Sequence, residues 1–167
     1  MTAKLKRGIT KVKDPGSALT HFIAMILAII AAIPLLSKAG HDSGHMRISA
    51  LAIFILSMIG LYAASTIYHT LDISPKINKL LRKIDHMMIF ILIACTYTPV
   101  CMIVLGDKTG WTMLTLVWGI AIVGILINAL WITCPKWFSS LIYIAMGWVC
   151  ILAITKILSS MPRAGFM

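Results

Sequence analysis

Charged residues are scarce in this sequence, and glutamate is absent. Asp, Glu, Lys and Arg make up 12% of the 167 residues, and the five acidic residues are all aspartate. A soluble domain has about 25% charged residues, so this chain could not cover a water-facing surface. The scarcity of charge excludes an ordinary cytosolic enzyme and a disordered tail.

The lack of a water-facing surface also excludes a secreted disulfide scaffold, and the few cysteines indicate no compartment. The four cysteines (Cys95, Cys101, Cys134 and Cys150) contain no C-x-x-C pair, and three of them lie inside apolar runs. We expect them to be reduced side chains of the core. The sequence also contains no nucleophile elbow, phosphate-binding loop or dinucleotide-binding motif.

Hydrophobic residues are abundant, at 60% of the chain with a mean hydropathy of +0.96. A helix needs about 20 apolar residues to cross the hydrocarbon core of a membrane, and five runs without Asp, Glu, Lys or Arg approach or exceed that length. We therefore predict an all-α, polytopic integral membrane bundle over residues 18–158, between a basic tail (1–17) and a C-terminal end (159–167). The predicted transmembrane helices are 18–36, 48–68, 87–105, 111–132 and 137–155.

The basic residues predict the orientation of the chain. A net charge of +10 would suggest nucleic acid as the partner of a soluble protein, but here the cations lie outside the apolar runs. Ten Lys and Arg fall on the side of the N-terminus and five on the opposite side, which predicts a multi-pass cell-membrane protein with a cytoplasmic N-terminus. We expect contacts with anionic lipid headgroups and no nucleic-acid partner.

The second loop has a helical pattern of its own. Ser74 can cap a helix whose first residue is Pro75, and apolar residues then recur at helical spacing among four cations. This pattern predicts a helix over 75–84 that lies in the cytoplasmic membrane interface. The alternative is a helical linker packed on the bundle.

Ionisable residues inside a membrane are costly and often functional, and here they fall at a similar depth. His21 is near the start of the first helix, Ser65 and His69 share one face at the end of the second, and Asp85 and His86 open the third. The topology brings all five to the cytoplasmic side. Imidazole with a nearby carboxylate suits zinc, and Asp85 could then accept the proton of a polarised water that Ser65 orients.

Two other interpretations remain open. His69 and Asp85 can be interfacial residues that reach for water, or they can form a polar clasp between helices. His86 follows Asp85 directly, so it points about 100° away around the helix. We interpret His86 as structural, with a weaker candidacy as a ligand.

The segments around these residues identify a family. Three segments carry the resemblance: Gly16–His21, Tyr62–Thr70, which contains S-x-x-x-H at Ser65–His69, and Lys83–Pro99. They resemble the bacterial hemolysin III family, which is grouped with the progestin and adipoQ receptors. The resemblance implies a seven-helix bundle with a zinc site near its cytoplasmic side. It also implies that His69 binds zinc, that Asp85 holds the zinc-bound water and that Ser65 supports the site.

The family takes two more zinc ligands from an H-x-x-x-H on its seventh helix, whereas residues 1–167 contain five predicted spans. We expect the sequence to be the N-terminal part of a longer protein. In the alternative, a natural short form, zinc would have only His69 and at best His21 or His86, and binding would be weak. We expect zinc in the complete protein.

The resemblance implies three classes of function. The first is zinc-dependent hydrolysis of a lipid amide or ester, in which case the protein is an enzyme. The second is cytolysis or pore formation, and the third is a non-enzymatic role as a receptor in membrane homeostasis. Because the polar residues cluster at one end, they favour a buried hydrolytic site over a channel lined with polar groups along its length. The substrate and the oligomeric state are left open.

Overall fold

The chain folds into a bundle of long helices in the computed structural model, which describes residues 12–42, 45–131 and 136–160. There is no strand among these residues, and five helical stretches are long and apolar enough to cross a membrane. The predicted all-α, polytopic membrane fold is confirmed. In order, the elements are α1 (Pro15–Asp42), α2 (His45–Thr70), α3 (Pro75–Pro99), a π-helical segment (Val100–Leu105), α4 (Lys108–Leu130), α5 (Lys136–Trp148), a 3-10 segment (Val149–Ala153) and α6 (Ile154–Ser160).

The helices extend beyond the uncharged runs that predicted them. The first candidate span, Pro15–Gly40, runs past Lys38, and the second, His45–Thr70, begins before Arg47. A helix satisfies its own backbone hydrogen bonds, so it need not end at the first charged residue. The predicted features on residues 1–11, 132–135 and 161–167 lie outside the described residues.

The predicted interfacial helix and the third span are one continuous helix in the structure. Ser74 is the N-cap and its Oγ accepts from the backbone N–H of Ile77 at 3.3 Å, with Pro75 in the first turn as predicted. The helix then runs without a break to Pro99. We predicted a separate helix because four cations interrupt the apolar run, but residues 76–98 contain no glycine or proline that would end a helix.

The third span changes geometry after Pro99. A π-helical segment follows and ends at Gly106, whose φ of +60° is the left-handed conformation that glycine adopts without strain. Asp107 then caps α4 by accepting from the backbone N–H of Gly110 at 3.1 Å. The ammonium of Lys156 bonds to the Asp107 carboxylate and lowers its pKa.

The apolar core lies between α3, α4 and α5. Phe90, Val117 and Met146 are fully buried there, one from each helix. On the other side of α3, α2 packs against it, and α1 packs against α2. Large apolar side chains on the outer surface are exposed, as at Ile33 and Leu152, which suits a surface that faces lipid.

The hydroxyl of Tyr97 binds the backbone where α5 passes into the 3-10 segment. It donates to the carbonyl oxygen of Met146 at 2.8 Å and accepts from the backbone N–H of Cys150 at 3.0 Å. Tyr97→Phe removes both bonds in a buried region, so we expect about 1–3 kcal/mol less stability. Thermal unfolding in detergent measures the loss. Tyr68→Phe is the control. Tyr68 contacts the Lys13 ammonium through its ring, and phenylalanine keeps that ring. An equal unfolding temperature in both variants would contradict the assignment.

Candidate functional site

Polar side chains from α1, α2 and α3 meet at one end of the bundle. Ser65 and Asp85 are buried there, with relative exposures of 4% and 8%. We call this group the polar cluster. It contains all five residues that the sequence singled out, together with one that it did not: Asp14, His21, Ser65, His69, Asp85 and His86.

His21 and Ser65 join α1 to α2. The Nδ1 atom of His21 lies 2.6 Å from Oγ of Ser65, a short hydrogen bond between residues 44 positions apart. The His21 ring also meets the ring of His69 nearly at right angles, with 5.5 Å between the centroids. Ser65 and His69 are four residues apart, so one face of α2 presents both to α1.

Asp85 brings α3 into the cluster. Its carboxyl group faces Ser65 and His86, with His69 farther away, and Oδ2 is 3.6 Å from Nδ1 of His86. Ser65 therefore lies between His21 and Asp85. A carboxylate held among imidazoles and a hydroxyl can accept a proton and orient a water molecule.

His86 lies closer to Asp85 than the sequence suggested. The two positions are about 100° apart around the helix, yet the imidazole turns back toward the neighbouring carboxylate. Its Nδ1 atom is buried and has no hydrogen-bond partner among the described residues. The backbone carbonyl of His86 accepts from the hydroxyl of Tyr143 at 2.8 Å, which ties this turn of α3 to α5.

Asp14 is the member of the cluster that sequence reasoning missed. Its Oδ2 atom is 3.0 Å from Nδ1 of His69, across 55 residues of sequence. The signal in the sequence was an aspartate directly before the proline that begins α1, which indicates a helix start. Nothing local in that pattern shows that the carboxylate reaches the end of α2.

The cluster supplies part of a donor set for zinc. Imidazole and carboxylate are the ligand types that zinc takes in proteins, and the cluster holds three imidazoles and two carboxylates. Within residues 12–42, 45–131 and 136–160, however, no group of three His, Cys, Asp or Glu side chains converges as a metal site. The Nδ1 atoms of His21 and His69 are already bonded to Ser65 and Asp14. A complete tetrahedral site would need further donors or a rearrangement of these rings.

Known proteins resemble this chain over most of its length. The family profile described as haemolysin-III related matches residues 9–167. Hemolysin-3 of Bacillus cereus is 37% identical over 167 residues, which cover 99% of this chain and 76% of that protein. A hemolysin-3 homolog of Bacillus subtilis (strain 168) is 35% identical over 154 residues, which cover 92% of this chain and 72% of that protein. No solved structure matches the chain. With five candidate spans and this similarity over nearly its whole length, the chain is a membrane protein that belongs to the haemolysin-III related family.

Proposed function

We propose that this protein is a zinc-dependent hydrolase that acts on an amide or ester bond of a lipid. The observation that supports the proposal is the buried carboxylate of Asp85, which lies beside Ser65 and near His69 at one end of a membrane bundle. Burial of an ionisable group at such a position is costly. A catalytic role gives a reason for keeping it there.

Four residues of the polar cluster have a role in this proposal. His69 would hold zinc through an imidazole nitrogen, and the metal would supply a bound water molecule of lowered pKa. Asp85 accepts the proton of the attacking water. Ser65 holds the Asp85 carboxylate in place, and His21 fixes Ser65 through the 2.6 Å hydrogen bond.

The depth of the cluster supports a lipid as the substrate. His21 is in the second turn of α1 and His69 is in the last turn of α2, so both lie near the end of the span rather than at its centre. The amide and ester linkages of lipids lie at this boundary between headgroups and hydrocarbon. We further propose that the N-terminus is cytoplasmic and that Lys76 and Lys79 meet anionic headgroups.

A cytolytic or pore-forming function is the second candidate, because the two similar proteins are named hemolysins. A water-filled pore needs polar groups along its length. The core between α3, α4 and α5 is instead packed with apolar side chains, with Phe90, Val117 and Met146 fully buried. This packing favours the hydrolase. A non-enzymatic receptor, the third candidate, would keep its function when hydrolysis is abolished.

The zinc content of His69→Ala tests the proposal. We expect a form of the protein that carries the family's two further ligands to contain zinc when purified, and its His69→Ala variant to lose the metal, because the substitution deletes a direct ligand. Elemental analysis measures the metal per protein chain. His45→Ala is the matched control, because His45 begins α2 at its opposite end. Zinc retained in His69→Ala at the level of His45→Ala would contradict the assignment of His69.

A further inference from the structure

Two hydrogen bonds connect Asp14 to His69. The Oδ2 atom of Asp14 lies 3.0 Å from Nδ1 of His69, and the backbone N–H of Asp14 donates to the carbonyl of His69 at 2.9 Å. The backbone N–H of Lys13 also donates to the carbonyl of Thr70, at 3.4 Å. The segment before α1 is therefore held along the last residues of α2.

The side-chain bond determines which nitrogen of His69 is free. A carboxylate that binds at Nδ1 stabilises the tautomer with its proton on that atom and leaves the lone pair of Nε2 available. Metal-binding histidines in proteins usually have such a partner on the second ring nitrogen, and the partner fixes the orientation of the ring. The neighbouring cation, Lys13, does not compete with His69 for the Asp14 carboxylate. Its ammonium lies 3.6 Å from the centre of the Tyr68 ring.

We propose that Asp14 is a positioning residue, which holds the His69 imidazole in the tautomer and orientation that present Nε2 to zinc. The inference rests on the proposed function, because zinc binding is the role that it gives to Nε2 of His69. Asp14 is well placed for the task. Its carbonyl accepts the backbone N–H of Ala18 at 2.9 Å, so it is fixed at the start of α1 as well as at the end of α2.

A purely structural role for the pair predicts different results. The side chain of Asp14 is 48% exposed and that of His69 is 20% exposed. An ion pair at such a surface contributes little to stability. A structural pair would therefore change zinc affinity little when it is removed, whereas a positioning residue would change it strongly.

Asp14→Ser separates these roles. Serine caps a helix about as well as aspartate, but its hydroxyl is too short to reach His69. We expect the affinity for zinc, measured by competition with a chelator, to fall about 10- to 100-fold. Nitrogen-15 spectra of the metal-free protein should also show less of the His69 tautomer that is protonated at Nδ1. Asp72→Asn is the control, because Asp72 is an exposed aspartate that accepts a bond from Asn78.

The outcomes distinguish this inference from the proposed function. If the unaltered protein binds no zinc, the proposed function fails and the inference fails with it. If the unaltered protein binds zinc and Asp14→Ser binds it equally well, the positioning role alone is wrong. If Asp14→Ser does not fold, Asp14→Gly, which caps a helix with only a small loss and has no side chain to reach His69, replaces it in both measurements. An unchanged affinity and tautomer in Asp14→Gly would then overturn the inference.

Discussion

Asp85→Asn is expected to lower hydrolysis of a lipid amide or ester by at least about 10²-fold, while the bound zinc remains. An amide has nearly the shape of a carboxylate and can still hydrogen-bond to water and to Ser65. It cannot accept the proton of the attacking water. The measurement is the release of fatty acid from lipid in vesicles, together with elemental analysis of the same preparation.

Asp72→Asn is the matched control for this change. It removes the same charge from an exposed position, where the carboxylate accepts a hydrogen bond from the side-chain amide of Asn78 at 2.6 Å. We expect its hydrolytic rate to equal that of the unaltered protein. Full activity in Asp85→Asn would exclude Asp85 as the proton acceptor. Loss of both zinc and activity would instead show that Asp85 binds the metal directly.

Gly124→Ala is expected to destabilise the bundle by about 1–3 kcal/mol, the usual cost of overpacking a core. A Cβ atom at this position would lie 2.4 Å from Cε1 of Phe90 and 2.7 Å from its Cζ. Phe90 is fully buried, and its ring packs against that of Tyr143 with 4.4 Å between the centroids. Because the ring cannot move aside, α3 and α4 would have to separate.

A control and a rescue make this prediction specific. Gly119→Ala lies on the same helix with nothing within 4 Å of the new Cβ, and we expect its stability to be unchanged or slightly higher. Phe90→Leu shortens the ring that causes the clash, so Gly124→Ala should cost less in that background. Thermal unfolding of the unaltered protein, of Gly124→Ala, of Phe90→Leu and of the double variant gives the coupling between the two sites. An equal loss from Gly124→Ala in both backgrounds would show that Phe90 is not the cause.

The sequence indicates which ionisable residues share a membrane depth, but not which residues contact them. His69 and Asp85 were identified as ionisable residues at a shared membrane depth, and depth can be counted along a helix from its end. The partners of those residues could not be counted in this way. The 2.6 Å bond from His21 to Ser65 and the 3.0 Å bond from Asp14 to His69 each depend on the rotation of one helix against another.

The sequence by itself determined the five spans and the cap at Ser74. Long uncharged apolar runs are stable in hydrocarbon only as helices, and a cap depends on residues three positions apart. Only the tertiary structure decided that Phe90 fills the space left by Gly124 and that Asp14 pairs with His69. The physical reason is the distance along the sequence over which each kind of interaction acts. Local hydrogen bonds and hydropathy act between near neighbours, whereas contacts between helices depend on the shape and rotation of surfaces that are distant in the sequence.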